Sequence, residues 1–124
     1  MFCLDSSFIV DLIEGDKKAV EKFEKLQDFS LVTTSINVFE LLKGSKNKEK
    51  RKFLENFFND IEVINFDFIS AQEASKIKHE LSSDGNIIND FDILIAGIVR
   101  HFDIMLVTRD KDFDKIKNLQ IEHY

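Results

Sequence analysis

The chain of 124 residues contains no proline and only four glycines. The usual punctuation between elements is therefore sparse, and no linker, internal repeat or low-complexity tract breaks the chain into parts. One domain spanning residues 1–124 is the expectation for this length. A single cysteine, Cys3, excludes an internal disulfide and most zinc clusters. It fits a reducing compartment, so the cytoplasm is the expected location. No apolar run approaches the roughly 20 residues of a membrane helix, since Ile93-Leu94-Ile95-Ala96 and the following Gly97-Ile98-Val99 are the longest. The start of the chain lacks a basic lead and meets Asp5 too early for a signal peptide. Positive charge is also scarce, with 17 basic residues against 23 acidic ones and a net charge of −6. That balance excludes a protein that coats nucleic acid by bulk electrostatics.

What is present is enough for a core, with 44% hydrophobic and 32% charged residues. The charge is unevenly spread. Lys43, Lys46, Lys48, Lys50, Arg51 and Lys52 face only Glu49 within ten residues, a local +5 that leaves −11 on the rest. One positive surface on an acidic body is the functional reading, and a solvated helical hinge is the plain one.

Short apolar runs alternate with helical periodicity. Phe2-Cys3-Leu4, Phe29–Thr33, Ile61–Phe66 and Ile104–Val107 read as strands, and Gln120–Glu122 as a short edge strand. Helices are expected after Ser6 and Ser7 (the expected caps), near Asp16–Gln27, over Ile36–Lys43 with Gly44 as a stop, and over Lys46–Asn59, Ser70–Leu81 and Ile87–Phe102. This alternation predicts an α/β domain with a largely parallel sheet, whose ligands gather at the carboxyl ends of the strands.

Several acids stand where apolar residues are expected. Asp5 ends the first strand and Asp110 follows the fourth, so both emerge at one sheet edge. Each alone also reads as an ordinary helix N-cap. Glu40 lies on a helix that is apolar around most of its circumference, in a narrow polar stripe with Asn37 and Lys43. It therefore faces a cavity or a partner, unless it simply pairs with Lys43. At about 100° per residue, Ile88, Phe91, Ile95, Ile98, Val99 and Phe102 share a helix face. Asp92 falls at its border and Asp90 points nearly opposite. A carboxylate there must be paired, protonated or metal-bound, because burying a bare charge costs too much. Four acids converging without lysines want a hard divalent cation, and all-oxygen ligation favours magnesium or manganese. His79, His101 and His123 show no matching spacing and read as surface residues.

Leu4-Asp5-Ser6-Ser7, Asn37-Val38-Phe39-Glu40-Leu41-Leu42-Lys43-Gly44, Ile88-Asn89-Asp90-Phe91-Asp92-Ile93-Leu94-Ile95-Ala96 and Leu106-Val107-Thr108-Arg109-Asp110-Lys111-Asp112-Phe113 resemble the four ordered blocks of a PIN domain. Across nearly its whole length the chain is similar to VapC-type toxins. The resemblance implies a parallel sheet in order 3-2-1-4-5 and metal-dependent cleavage of RNA. It assigns the acids to Asp5, Glu40, Asp92 and Asp110, with one or two magnesium or manganese ions, and matches Asp112 to a position acidic in some members. It further implies a homodimer and a small antitoxin protein. Ser7 stands where the family often has Asn, and Asn37 where it often has Thr or Ser; both keep a hydrogen-bonding group. The Lys43–Lys52 run would supply phosphate contacts.

Two other classes fit less well. A haloacid-dehalogenase-like phosphatase would want an Asp where Ser7 stands, and a receiver domain lacks its lysine after the fifth strand. A PIN module that binds RNA or a protein without cutting is the non-enzymatic alternative.

Overall fold

The computed structural model describes all 124 residues. Its strands are β1 (Phe2–Leu4), β2 (Leu31–Thr34), β3 (Glu62–Ile64), β4 (Met105–Val107) and β5 (Ile121–Glu122). The helices are α1 (Ser6–Ile13), α2 (Lys17–Leu26), α3 (Ser35–Gly44), α4 (Lys48–Asn59), α5 (Phe68–Ser83) and α6 (Asp90–Phe102). All pairings are parallel, and the sheet order is β3-β2-β1-β4-β5. The α/β class and the strand order thus follow the expectation.

Helix starts are set by side-chain caps. Asp16, Asn47, Asp67 and Asn89 each accept a backbone N–H from the first turn of α2, α4, α5 and α6. Those caps move α4 and α6 to later starts than periodicity suggests. Gly44 is the last residue of α3 and not a stop beyond it; Ser45 leaves in extended conformation. A short 3-10 turn over Lys111–Lys115, which no periodicity announces, follows β4.

Parallel strands need cover on both faces. On one face α5 and α6 pack on the sheet, with Cys3, Val32 and Leu106 meeting Ala74, Ile77, Ile95 and Val99. On the other, Leu4 and Val107 meet Phe8, Ile9, Leu26, Leu41 and Leu54 from α1 to α4. The expected apolar face of α6 was too narrow. Ile93, Ala96 and Gly97 are buried with Ile95, Ile98 and Val99, while Phe102 is exposed. The helix lies between the sheet and α5, so more than one side is covered. In α3, likewise, Phe39 is exposed.

The phenylalanines of α2 and α4 leave an apolar groove. One cavity of about 430 Å³ is lined by Phe23, Phe29, Leu31, Phe57, Asp60 and Ile61. A second, of about 220 Å³, lies against Ile9, Leu12, Ile13, Phe53 and the same Phe23 and Phe57.

Candidate active site

Because β1 lies between β2 and β4, the carboxyl ends of the three strands deliver Asp5, α3 and the segment Thr108–Asp112 to one edge. Asp5 occupies the N-cap position of α1, yet its side chain makes no capping hydrogen bond. Instead Oδ1 accepts from Asn37 Nδ2 at 3.0 Å, and Oδ2 accepts from Thr108 Oγ1 at 2.6 Å and Ser7 Oγ at 3.1 Å. Burial pushes this carboxyl above its ordinary pKa, and the hydrogen bonds from Thr108, Ser7 and Asn37 only partly oppose it.

Asn37 is itself fixed. Thr34 caps α3 by accepting from Asn37 N at 3.1 Å, and its hydroxyl donates back to Asn37 Oδ1 at 2.7 Å. The amide Nδ2 is thereby aimed at Asp5 and at Ser6 Oγ, the latter at 2.9 Å. Ser6 Oγ in turn donates to Glu40 Oε1 at 3.0 Å. Glu40 forms no ion pair with Lys43, whose Nζ sits 5.5 Å and 5.0 Å from the ring centroids of Phe39 and Phe91. Its pKa is raised by burial and by Asp5, against the Ser6 hydrogen bond and the Lys43 charge.

Asp92 stands in the first turn of α6, where the helix dipole favours a carboxylate. Burial wins over that preference, and the charges of Asp5, Asp110, Glu40 and Asp112 add to it, so its pKa rises to about 7. Asp90 points away, exposed, and meets Lys78 Nζ at 3.1 Å. The two acids are separated as helical phase requires.

Asp110 does cap an element. Its Oδ1 accepts from Asp112 N at 2.9 Å, starting the 3-10 turn, while its own N–H donates to Thr108 Oγ1 at 3.0 Å. Asp92, Asp110 and Asp112 each bring one carboxylate oxygen to within 4.8 Å of the others. Asp112 is therefore part of this group, and it also meets Lys115 Nζ at 3.1 Å. Asp5 and Glu40 lie outside that closest trio but raise the Asp92 pKa by their charge. None of Asp5, Glu40, Asp92 and Asp110 has an ion-pair partner. Carboxylates this close, all-oxygen and without a cation between them, fit a hard divalent ion.

The basic residues Lys43, Lys46, Lys48, Lys50, Arg51 and Lys52 are all exposed. They run from the end of α3 into α4. Lys50 shares a cavity of about 130 Å³ with Glu40 and Gly44, so the run reaches Glu40 through this one lysine.

Thr108 is the member that sequence reasoning missed. It is fully buried and joins Asp5 to Asp110 through one hydroxyl. A polar residue prolonging the apolar run of β4 was its only signal. His123, read as a surface residue, is half-buried, with Nδ1 2.8 Å from the Thr108 carbonyl and Nε2 2.8 Å from Asp114 Oδ1.

The PIN domain family model matches residues 2–119. The chain belongs to the PIN domain family. Ribonuclease VapC3 of Methanocaldococcus jannaschii is 30% identical over 95 residues, 77% of this chain and 94% of that one. The tRNA(fMet)-specific endonuclease VapC of Shigella flexneri is 24% identical over 128 residues, covering 99% and 97%. Among solved structures, VapBC2 from Rickettsia felis, bound to a DNA fragment from its promoter, has a chain that superposes with a TM-score of 0.88 at 28% identity, covering 99% and 98%. This PIN domain thus shares its fold with the Rickettsia felis chain over nearly the whole length of both. No helix of it is long and apolar enough to cross a membrane.

Proposed function

We propose that this PIN domain, one unit over residues 1–124, is a metal-dependent endoribonuclease and the toxin of a toxin–antitoxin pair. The observation that carries the reading is the convergence of Asp92, Asp110 and Asp112, the first two without any ion-pair partner, beside Asp5 and Glu40. The relatives' names, a ribonuclease and a tRNA-specific endonuclease, supply the reaction class.

Asp5, Glu40, Asp92 and Asp110 form the catalytic group in this reading, with Asp112 as an additional ligand for one or two magnesium or manganese ions. A divalent cation held there supplies Lewis-acid polarisation of the phosphodiester and a lower pKa for water. The protein's part is to hold Asp5, Glu40, Asp92 and Asp110 in place without pairing them with its own lysines and arginines. Asn37, Ser7 and Thr108 lock Asp5, Ser6 steadies Glu40, and the cap formed by Asp110 fixes the loop that carries Asp112. Asp92 would hold the ion in its ionised form, and one carboxylate of the group would accept the proton of the attacking water. Lys43, Lys46, Lys48, Lys50, Arg51 and Lys52 contact phosphates and offset repulsion between RNA and the acidic body.

A homodimer and a small antitoxin are the proposed partners, and the cytoplasm the location. The groove of Phe23, Phe53 and Phe57 supports a protein partner, since apolar surface of this kind marks interfaces. VapBC-5 of Mycobacterium tuberculosis, which has the same fold, is a member of a family of toxin–antitoxin systems.

The test is cleavage of a tRNA mixture with magnesium, with EDTA, and with magnesium restored. Cutting that stops with EDTA and returns with the metal is the expected result. RNA that is bound but never cut with magnesium or manganese would leave only a binding module.

A further inference from the structure

We infer that Arg109 is a phosphate-binding residue of this site, on the side opposite the basic run, and that Asp11 and Tyr124 orient it. The inference rests on the nuclease reading for its substrate, but its evidence is separate.

The chain has three arginines. Arg100 is largely buried against Glu73 and Glu80, and Arg51 pairs with Glu55 along α4. Arg109 alone sits within the acid-bearing segment, between Thr108 and Asp110. Its backbone N–H reaches Ser7 Oγ at 3.4 Å, so the chain here runs along the rim of the acid cluster. The side chain turns towards α1, where Asp11 follows Ser7 by one helical turn, and Nε stands 2.9 Å from Asp11 Oδ2.

The pair is asymmetric. The Asp11 side chain is 15% exposed and the Arg109 side chain 59%. Tyr124 holds the acid from the inner side, its hydroxyl donating to Oδ2 at 2.6 Å while its ring stands edge-on to the buried Phe8. The carboxylate is fixed, and the guanidinium that leans on it stays in water. Neither Nη nitrogen donates a hydrogen bond within the protein. A planar fork whose donors are free, kept beside the acids by its ion pair with Asp11, is the form in which arginine binds phosphate bidentately.

Topology supplies the second argument. Glu40 and the basic run lie on the β2 side of Asp5, whereas Arg109 lies on the β4 side. A nucleic-acid strand crossing the acids from Lys50 meets no other arginine beyond them. An acidic centre repels phosphate, so a cation on each flank lets one strand pass over it.

The experiment measures binding of a fluorescein-labelled single-stranded RNA of about 12 nucleotides. An Asp92→Asn background with magnesium is used, so that no cutting intervenes. Arg109→Gln should weaken binding about tenfold, the scale of a charge-assisted contact. It should also make the salt dependence shallower by about one phosphate contact. Arg109→Lys should recover only part, because charge returns without the fork. Tyr124→Phe, which keeps charge and ring, should cost about threefold and add nothing once Arg109 is Gln.

Equal affinity and equal salt slope for Arg109→Gln, with only its thermal midpoint lowered, would make the pair structural and overturn the inference. So would a Tyr124→Phe loss that persists undiminished in the Arg109→Gln background, or an Asp92→Asn parent that does not bind the RNA. Cleavage by the unmutated protein is scored separately. If RNA is cut while Arg109→Gln binds normally, only this inference falls; if RNA is bound through Arg109 and not cut, only the nuclease reading does.

Discussion

Asp92 and Asp90 are two positions apart on one helix and live in different media, and that contrast yields two predictions. Asp92→Asn should remove metal-dependent cleavage, whereas Asp90→Asn, which loses an exposed contact with Lys78, should keep most of it. Equal loss in both variants, measured on the same RNA, would show that phase does not separate them. The second concerns protons. The folded pKa of Asp92, about 7, lies above the ordinary value of about 3.9. Between these two values the folded protein binds more protons than the unfolded chain. Stability of the cation-free protein should therefore fall as pH rises from about 4 to about 7, and level off above that. Melts over this range should show the decline in wild type and a smaller one in Asp92→Asn, with the variant at least as stable near neutrality. A cation has to displace the same proton, so manganese affinity followed by calorimetry should rise with pH and flatten above about 7.

Packing between α5 and α6 turns on one glycine. A Cβ on Gly97 would lie 2.7 Å from the Ser70 carbonyl oxygen and 2.8 Å from Ala74 Cβ, both on the facing helix. Backbone cannot yield as a flexible side chain can, so Gly97→Ala should destabilise by about 1–3 kcal/mol despite alanine's better helix propensity. Denaturant melts measure this, and a neutral or stabilising result would mean that the helices slide apart freely. In α4 the prediction is electrostatic. Replacing Lys48, Lys50, Arg51 and Lys52 together by Gln should weaken RNA binding across sequences and flatten its salt dependence; an unchanged slope would make the run a solvated face. Much of this layer was legible beforehand. Strand–helix alternation fixes the class, and phase alone separates Asp90 from Asp92. The remainder depends on contacts that periodicity does not encode. Asp5 looks like a cap and is a buried acceptor, because Asn37 and Thr108 reach it from distant elements. Phe91 looks like core, yet it pairs with Phe39 beneath Lys43 at the surface. The 3-10 turn is started by Asp110 after the strand pattern has ended.

For the whole molecule, an acidic body with one basic flank and a separate aromatic groove predicts two independent surfaces. Light scattering at micromolar concentration should give twice the mass of one chain, and a monomer would count against the proposed homodimer. Phe53, half-exposed at the groove, should tolerate Phe53→Ser with little loss of stability or of RNA cleavage. A large loss of cleavage would join groove and acids into one surface. The central place of β1 in the sheet also has a bearing on synthesis. Its Asp5 is clamped by Thr108, 103 residues further along, and the two acids of the following turn come later still. At about 5–20 residues per second a ribosome needs several seconds to make that stretch. Until β4 is made, the nascent chain carries Asp5 and then Glu40 without Thr108, Asp110 and Asp112 to complete their setting. On the nuclease reading proposed above, the growing chain cannot assemble its acid group, and so cannot cut RNA, until Asp110 and Asp112 have been made.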